Sequence, residues 1–367
     1  MQEQLKEQLL DPNHEFSGHI YLFHAFDIGD DINLEKVEQL RSIKTIPLSL
    51  PKYFKNYNAP LAIELPHPNE SARCISCKLH NFGAVSLTYK IPFHESLENV
   101  RKDFYDIYYQ YQEQSVADAK LVFKKIEPYI TQPKFFHLRS SYNILQVNPE
   151  PKKISLINLQ KQFGNLIAST LRFETESLSD YQRNEILDSA IGYYRGNLVI
   201  VDADSTFIYD EEYNDLLAFV EFANLQHLEL HYFDRLLDHK LNDIYESGGT
   251  QKIPFVAYFP FVDSLTTDPV ATLGKLKVDI SVITERLEGS IKIAGEPYYS
   301  EFYEKLMEKL DLKSWQSSIE RKLNIIKDVL TIYEHKTDVI RENMLEVLII
   351  ILIFIELIIG ILHYIKS

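Results

Sequence analysis

The chain has 367 residues, of which 45% are hydrophobic, and it carries a formal net charge of −15 at pH 7. This apolar content excludes a disordered chain, and the acidic balance without a run of Lys and Arg excludes nucleic-acid binding and peripheral attachment to anionic lipid. Two cysteines are too few for a disulfide framework, and the first 16 residues contain no apolar run. We therefore expect no secretory signal and a domain that stays on the cytoplasmic side.

The first region, residues 1–150, is predicted to be a mixed α/β region. Runs of β-branched and aromatic residues predict strands, and apolar residues at helical spacing predict helices. The predicted strands span residues 20–26, 72–79, 82–89 and 135–147, and the predicted helices span residues 34–42 and 96–130. The sequence NPEPKK, at residues 148–153, predicts the end of this region because Asn and Pro favour turns.

Two cysteines and a histidine, Cys74, Cys77 and His80, lie on or beside one of these predicted strands. Their spacing makes them candidates for zinc or redox chemistry. On a regular strand, however, an odd offset places the two thiols on opposite faces, and a zinc site needs a fourth ligand. We therefore expect neither a metal site nor a redox site here.

The second region, residues 151–210, is predicted to complete the soluble domain with helix at 154–195 and a strand or hairpin at 197–209. Its segment LVIVDADSTF resembles the first motif of haloacid-dehalogenase-type phosphatases, in which Asp202 would be the nucleophile and Asp204 the general acid. Such enzymes need further strands after this motif, and the sequence predicts helices instead. We expect both aspartates to be solvated carboxylates at a strand end, and the protein not to be an enzyme.

The third region, residues 211–344, is predicted to be a stalk of long helices, with helical patterns at 211–245 and 273–287. A carboxylate-and-histidine helix can hold a metal, but such residues more often form a solvated or salt-bridged face. The first helix carries Glu229, His231, Asp234, Arg235, Asp238 and His239. We interpret them as such a face and expect no metal, cofactor or catalytic residue.

A heptad pattern runs through the last part of this stalk. Apolar and aromatic residues recur there in steps of mostly three and four, which is typical of a coiled coil. The residues include Leu312, Trp315, Ile319, Leu323, Ile326, Leu330, Tyr333, Ile340 and Met344. The seam faces another subunit or packs within its own chain against the helix at 273–287. We favour a seam shared between subunits.

The fourth region, residues 345–365, predicts one transmembrane helix. Sixteen of these 21 residues are Leu, Ile, Val or Phe, and about 20 apolar residues span a bilayer. Their transfer into lipid outweighs the roughly 3 kcal/mol that a carboxylate costs at that depth. Glu356 is the candidate functional residue of this helix. It is protonated, or it faces a neighbouring helix of an oligomer.

Residues 295–361 resemble the C-terminal part of the RMD/YagE-like family of membrane proteins, named for "required for meiotic nuclear division" and also called Sad1-interacting factor. The resemblance rests on Leu306, the helix around Leu323, and the carboxylates Glu346 and Glu356 ten residues apart. Val347 departs from the family pattern. The resemblance implies a membrane-anchored homo-oligomer without known enzymatic activity, and the lack of a presequence implies a single-pass protein of a bacterial inner membrane.

Together these patterns predict an α+β fold: an N-terminal mixed α/β domain, long C-terminal helices forming a helical hairpin or coiled-coil stalk, and one transmembrane helix. We expect a structural or interaction protein that presents its α+β domain on the cytoplasmic side. Its expected partners are the lipid bilayer, its own copies and a protein of unknown identity. Two alternatives stay open. One is an ion-transport component similar to CorA-type magnesium channels, although the second transmembrane helix and the Gly-Met-Asn motif are missing. The other is the phosphatase.

Overall fold

The structure is a computed structural model that describes residues 11, 14–48, 51–54, 59–65, 73–135, 139–149, 156–192, 196–246, 274–278, 280–282, 284–285, 293 and 296–366. Its described residues form two compact units. The first comprises Met1–Tyr232 and Glu285–Trp315, and the second comprises Phe233–Thr284 and Gln316–Ser367.

An eight-stranded sheet forms the centre of the first unit, in the order β3-β4-β5-β1-β7-β10-β9-β8. All neighbouring strands in it are antiparallel except β7 and β10, which are parallel. A small second sheet pairs β2 with β6. The strands are β1 Glu15–Asp27, β2 Asp31–Ile32, β3 Leu61–Ile63, β4 Cys74–His80, β5 Ala84–Ser96, β6 Ile130–Thr131, β7 Arg139–Val147, β8 Ala190–Ile191, β9 Leu198–Val201 and β10 Ser205–Tyr209.

Helices cover both faces of this sheet. The helices of the two units together are α1 Leu34–Glu38, α2 Leu97–Ile126, α3 Leu156–Leu171, α4 Asp180–Leu187, α5 Asn214–Glu246, α6 Pro297–Lys309 and α7 Leu312–Lys366. Side chains alternate along a strand, so even-numbered residues of β1 such as Phe16 reach α3, where the rings of Phe16 and Phe163 lie 5.2 Å apart. The odd-numbered Ala25 packs on Leu225 and Leu228 of α5. A sheet buried on both faces explains why β1 is apolar on both.

The turn between β4 and β5 requires glycine at position 83. Gly83 has a φ of 92°, and a Cβ there would lie 1.6 Å from the carbonyl oxygen of Gly29. The Gly83 carbonyl oxygen accepts a hydrogen bond of 2.8 Å from the backbone N–H of Ile28. This close approach fixes the carboxyl end of β1 against the turn.

The second unit contains the end of α5 and most of α7. Its buried apolar side chains are Phe233, Leu237, Ile280, Ile319, Leu323 and Ile326. Lys322 Nζ lies 2.7 Å from the Asp234 carboxylate and 2.6 Å from that of Asp238. The Ser318 hydroxyl donates a 2.7 Å hydrogen bond to Asp234. For Asp234 and Asp238, the interpretation of a salt-bridged face is confirmed.

The last part of α7 is one continuous apolar helix. The candidate span is residues 338–365. Its most apolar stretch of 18 residues has a mean hydropathy of 3.0, and none of that stretch is buried by the rest of the chain. By length and composition this is the one helix among the described residues that is able to cross a membrane.

The predicted fold class is confirmed. A mixed α/β sheet domain is followed by long helices and one apolar C-terminal helix. The segment 197–209 is a hairpin. The predicted helix at 154–195 is two shorter helices followed by the strand Ala190–Ile191. In the predicted helix at 273–287, the described residues are helical. The division into four regions stays a prediction.

Candidate functional site

A buried ion pair lies at the turn between β9 and β10. The Asp202 side chain is 1% exposed, and both its oxygens contact the guanidinium of Arg172. One contact is a 3.0 Å hydrogen bond that Arg172 Nη2 donates to Oδ1, and the other joins Nε to Oδ2. Lys309 Nζ lies 3.7 Å from Oδ1. Asp202 therefore joins the ends of α3 and α6 to the sheet.

The expectation that Asp202 is a solvated carboxylate at a strand end was wrong. The strand ends in a tight hairpin, where the Asp202 N–H donates to the Ser205 carbonyl at 2.9 Å, and α3 and α6 cover that turn. Asp204 is exposed, as expected. Although the residue as a whole is exposed, partial burial of its carboxyl group raises the pKa of Asp204, and the nearby Asp202 carboxylate adds to this effect.

Two helix ends place the cations of this cluster. After α3, Phe173 adopts a positive φ of 57°, and Glu174 N–H donates back to the Ser169 carbonyl at 2.9 Å. This pattern ends a helix sharply and leaves Arg172 directly after the last residue of α3. After α6, Asp311 has a φ of 53°, and its N–H donates to the Glu308 carbonyl at 3.0 Å. Aspartate tolerates this conformation better than most residues.

An open cavity of about 510 Å³ lies beside this cluster. It is bounded by the beginning of β7, the β9–β10 turn, α2, α5 and the junction of α6 and α7. Its lining residues are Tyr108, Gln112, Arg139, Ser140, Ser141, Ala203, Asp204, His227, Lys309, Leu310, Asp311 and Trp315. We call it the β7 cavity. Its size lies within the range of about 300–1,000 Å³ that is typical of small-molecule sites.

Two cations of the β7 cavity form no hydrogen bond with a carboxylate among the described residues. Arg139 donates a 3.1 Å hydrogen bond to the carbonyl of Gln112, and none of the described carboxylates forms an ion pair with it. The 3.7 Å between Lys309 and Asp202 is longer than a hydrogen bond. The Lys309 side chain is 20% exposed. Both side chains therefore have N–H donors that form no hydrogen bond with the described residues.

His227 and Trp315 complete the wall of the cavity, and two further histidines, His24 and His231, contact residues that line it. His227 Nδ1 and the Ser140 hydroxyl are 2.8 Å apart. Burial lowers the pKa of His227 to about 4, and His231 adds to this effect. Burial likewise lowers the pKa of His24 to about 3, and His24 Nδ1 lies 2.8 Å from the Ser141 hydroxyl. The ring of Trp315 lies 4.6 Å from that of His231. His227 and His24 are therefore uncharged at neutral pH.

A second cavity, of about 310 Å³, lies between β4 and α5. Lys78 and Glu221, both nearly buried, form an ion pair in its wall. The Ser86 hydroxyl donates to Glu221 at 2.8 Å and lies 3.1 Å from His80 Nε2. These four polar side chains satisfy one another, which is the expected arrangement of a structural network.

The two cysteines do not lie on opposite faces, so that expectation was wrong. A β-bulge between Cys74 and Ser76 places Cys74 opposite Tyr89 and Cys77 opposite Leu87, two residues apart on one strand. An extra residue in a strand reverses the alternation. Both thiols pack on the core that contains Tyr89, and burial raises the pKa of both, that of Cys74 to about 12.

No group of three or more His, Cys, Asp or Glu side chains that suits a metal ion occurs within the described ranges. Cys74, Cys77 and His80 belong to those ranges, as do the ionisable residues of α5 up to Asp243.

The residues predicted to form the membrane and oligomer surface fall into three groups along α7. Leu312, Ile319, Leu323 and Ile326 are buried within their own chain, and Trp315 lines the β7 cavity. Leu330, Ile340 and Met344 are half-buried, while the side chain of Tyr333 lies outside the described residues. Glu346 and Glu356 are exposed.

Arg139, Arg172, Lys309 and His227 were not identified from the sequence. They come from a strand, two helix ends and a helix face that are far apart in the chain, so no local motif links them. The one available signal was the Asp202-x-Asp204 pair, whose carboxylates mark the turn beside the cavity.

The sheet domain matches a known family. A family model described as "Uncharacterized protein MJ0711, N-terminal domain" matches residues 17–215, which is more than half of the chain. The chain belongs to this family. The match includes almost the whole eight-stranded sheet together with Arg139, Arg172 and Asp202, whereas His227, Lys309 and Trp315 lie beyond it.

A relative in this MJ0711 family is the "Uncharacterized protein MJ0711" of Methanocaldococcus jannaschii. It is 23% identical over 218 residues, which cover 54% of this chain and 60% of that protein. The chain thus spans about 60% of the length of its relative. No solved structure matches the chain.

The resemblance to the RMD/YagE-like family was wrong. It rested on residues 295–361, where an apolar helix and two glutamates recur at a spacing that any helix entering a membrane can show, whereas the matching family covers residues 17–215. The expected bacterial origin has no support either, since the relative is archaeal.

Proposed function

We propose that this MJ0711-family protein is a membrane-anchored interaction protein, in which the end of α7 crosses the bilayer and tethers the α+β domain. The observation that supports this is the apolar part of the helix span 338–365, in which Ile353 and Phe354 are 56% and 64% exposed. At 1.5 Å per residue, the 21 residues of the predicted transmembrane helix are about 32 Å long, and the hydrocarbon core is about 30 Å thick.

Water is a poor environment for this stretch. Burying apolar surface contributes roughly 25 cal/mol per Å², and a soluble helix normally shows one polar face. From residue 347 to residue 362, the residues other than Glu356 and Gly360 are all Leu, Ile, Val or Phe. The helix is therefore apolar on every side, which favours lipid over a packing partner on one side only.

We propose that any self-association of the chain uses the membrane-proximal part of α7. Ile319 and Ile326 are about 1% and 0% exposed within the single chain, so they offer no surface to another copy. Glu356 lies near the middle of the apolar stretch, where an isolated carboxyl is costly. A neighbouring α7 that shares a hydrogen bond with Glu356 would lower this cost. We also propose that the α+β domain stays on the side where it is made.

Carbonate extraction of membranes tests the anchor. The full chain should remain in the membrane pellet, and a chain that ends at residue 337 should become soluble. Ile353→Arg with Leu357→Arg should also release the protein, because each Arg costs about 3 kcal/mol at the centre of a bilayer.

The matched control is Ile325→Arg with Ile332→Arg, two residues on the same helix that are 50% and 68% exposed outside the apolar stretch. This variant should stay in the pellet. Retention of the truncated chain in the pellet after the carbonate wash would show that the anchor lies elsewhere or that the attachment is peripheral.

A further inference from the structure

The β7 cavity combines two cations that have unused hydrogen-bond donors with aromatic and hydroxyl groups. Arg139 and Lys309 both line it, one at the beginning of a strand and the other at the end of α6. A guanidinium offers five N–H donors and an ammonium three. The described contacts use one hydrogen bond from Arg139 and none from Lys309.

The nearest carboxylate is already occupied. Both oxygens of Asp202 contact Arg172. Lys309 Nζ, at 3.7 Å, therefore interacts with the Asp202 carboxylate through its charge and forms no hydrogen bond with it. Asp204 and Asp311 also line the cavity, but both are exposed, and water screens exposed charges strongly. Lys309, at 20% exposure, lies deeper than either acid. The inner part of the cavity is therefore the more positive part.

The remaining lining is suited to the uncharged part of a ligand. Trp315 and Tyr108 offer rings, and aromatic side chains favour flat apolar groups. Ser140 and Ser141 supply hydroxyls, each beside an uncharged histidine. The amino end of α7 begins at Leu312 in the same wall, and the partial positive charge of a helix amino end adds to the two cations.

We propose that the β7 cavity binds a small organic anion, a carboxylate or a phosphate ester carrying a ring. Arg139 and Lys309 hold the anionic group, and Trp315 contacts the ring. This function adds a ligand to the domain and does not depend on whether α7 spans a membrane.

Trp315 is the single tryptophan of the chain, so its fluorescence reports on this cavity directly. The full chain in mild detergent is titrated with four probes: benzoate, phenyl phosphate, inorganic phosphate and benzylamine. Benzoate or phenyl phosphate should change the fluorescence saturably, and the tighter of the two identifies the anionic group. Inorganic phosphate, which lacks the ring, should bind more weakly than phenyl phosphate. Benzylamine, with the same ring and the opposite charge, should not bind.

Variants assign the effect to the two cations. Arg139→Gln and Lys309→Gln should each weaken binding of the anionic probe about tenfold or more, because each loses a charge-assisted hydrogen bond. Arg139→Lys keeps the charge and should retain part of the affinity. Lys305→Gln is the matched control on the same helix, since Lys305 pairs with Glu308 at 3.0 Å and does not line the cavity.

A cavity-filling variant tests whether a loss of binding comes from the cavity itself or from misfolding of the protein. Ala203→Phe leaves every charge in place and should abolish the fluorescence change while the thermal unfolding curve keeps its cooperative shape. The proposal is overturned if neither ring-bearing anion saturates, if benzylamine binds as tightly as they do, or if Lys305→Gln weakens binding as much as Lys309→Gln.

Discussion

Replacing Asp202 by Asn removes the charge that holds three elements of the first unit together. Asn keeps the shape of the side chain but replaces one carboxylate oxygen with an NH2 group. In one of the two contacts, this NH2 donor then faces an N–H donor of the Arg172 guanidinium, and no hydrogen bond forms. Arg172 and Lys309 then lose their shared counter-charge. Asp204→Asn makes the same chemical change two residues away on an exposed side chain.

The size of the effect follows from burial. Breaking a buried ion pair by removing one partner costs about 3–5 kcal/mol. Arg172 is 36% exposed, so water recovers part of its solvation, and we expect a loss of about 2–3 kcal/mol for Asp202→Asn. At about 2–4 °C per kcal/mol for a domain of this size, the melting temperature should fall by roughly 5–10 °C. Asp204→Asn should change the free energy of unfolding by less than about 0.5 kcal/mol.

Thermal unfolding of the full chain in mild detergent, followed by circular dichroism, measures both variants. Arg172→Gln completes a double-mutant cycle with Asp202→Asn. Because the two side chains contact each other, the double variant should lose less stability than the sum of the single losses. Equal melting temperatures for Asp202→Asn and Asp204→Asn, or fully additive losses in the cycle, would refute the assignment of Asp202 as the centre of a buried ion pair.

Two further predictions concern the end of β1. Burial raises the pKa of Asp27 from 3.8 to about 7, and Glu229 lies close enough that the two acids affect each other. A raised pKa in the folded state contributes stability below about pH 4 that is lost as the pH rises through about 7. Asp27→Asn should flatten this part of the stability profile and be more stable than the wild type at about pH 8. Thermal unfolding between about pH 4 and pH 9 measures this, and a profile parallel to that of the wild type would count against it. Gly83→Ala should cost more than about 3 kcal/mol, because its Cβ would meet the Gly29 carbonyl at 1.6 Å in a backbone conformation that favours glycine. Gly360→Ala, where a Cβ meets nothing within 4 Å, is its control in the same unfolding assay, and similar losses from the two changes would contradict the reasoning.

The sequence alone predicted most elements of the fold. Alternation and β-branched residues identified β1, β4, β5, β7 and the hairpin at 198–209, and helical spacing identified α2, α5 and α7. These are local patterns, and the strands and helices of the first unit bury the side chains that their own sequence marks as apolar. The transmembrane candidate is the clearest case, because hydropathy summed over one continuous segment needs no knowledge of any other part of the chain.

Only the tertiary structure decided what surrounds the polar residues. Asp202 looked like a solvated strand end because nothing near it in the sequence indicates that α3 and α6 cover the turn. The spacing of Cys74 and Cys77 predicted that their thiols lie on opposite faces of the strand. The bulge between Cys74 and Ser76 places them on the same face, and a bulge depends on pairing with the partner strand. Trp315 was predicted to lead into the heptad pattern, yet it lines a cavity beside α5. Charge pairing and cavity formation depend on contacts between distant segments, so Arg139, Lys309 and Trp315 became neighbours only when the chain folded.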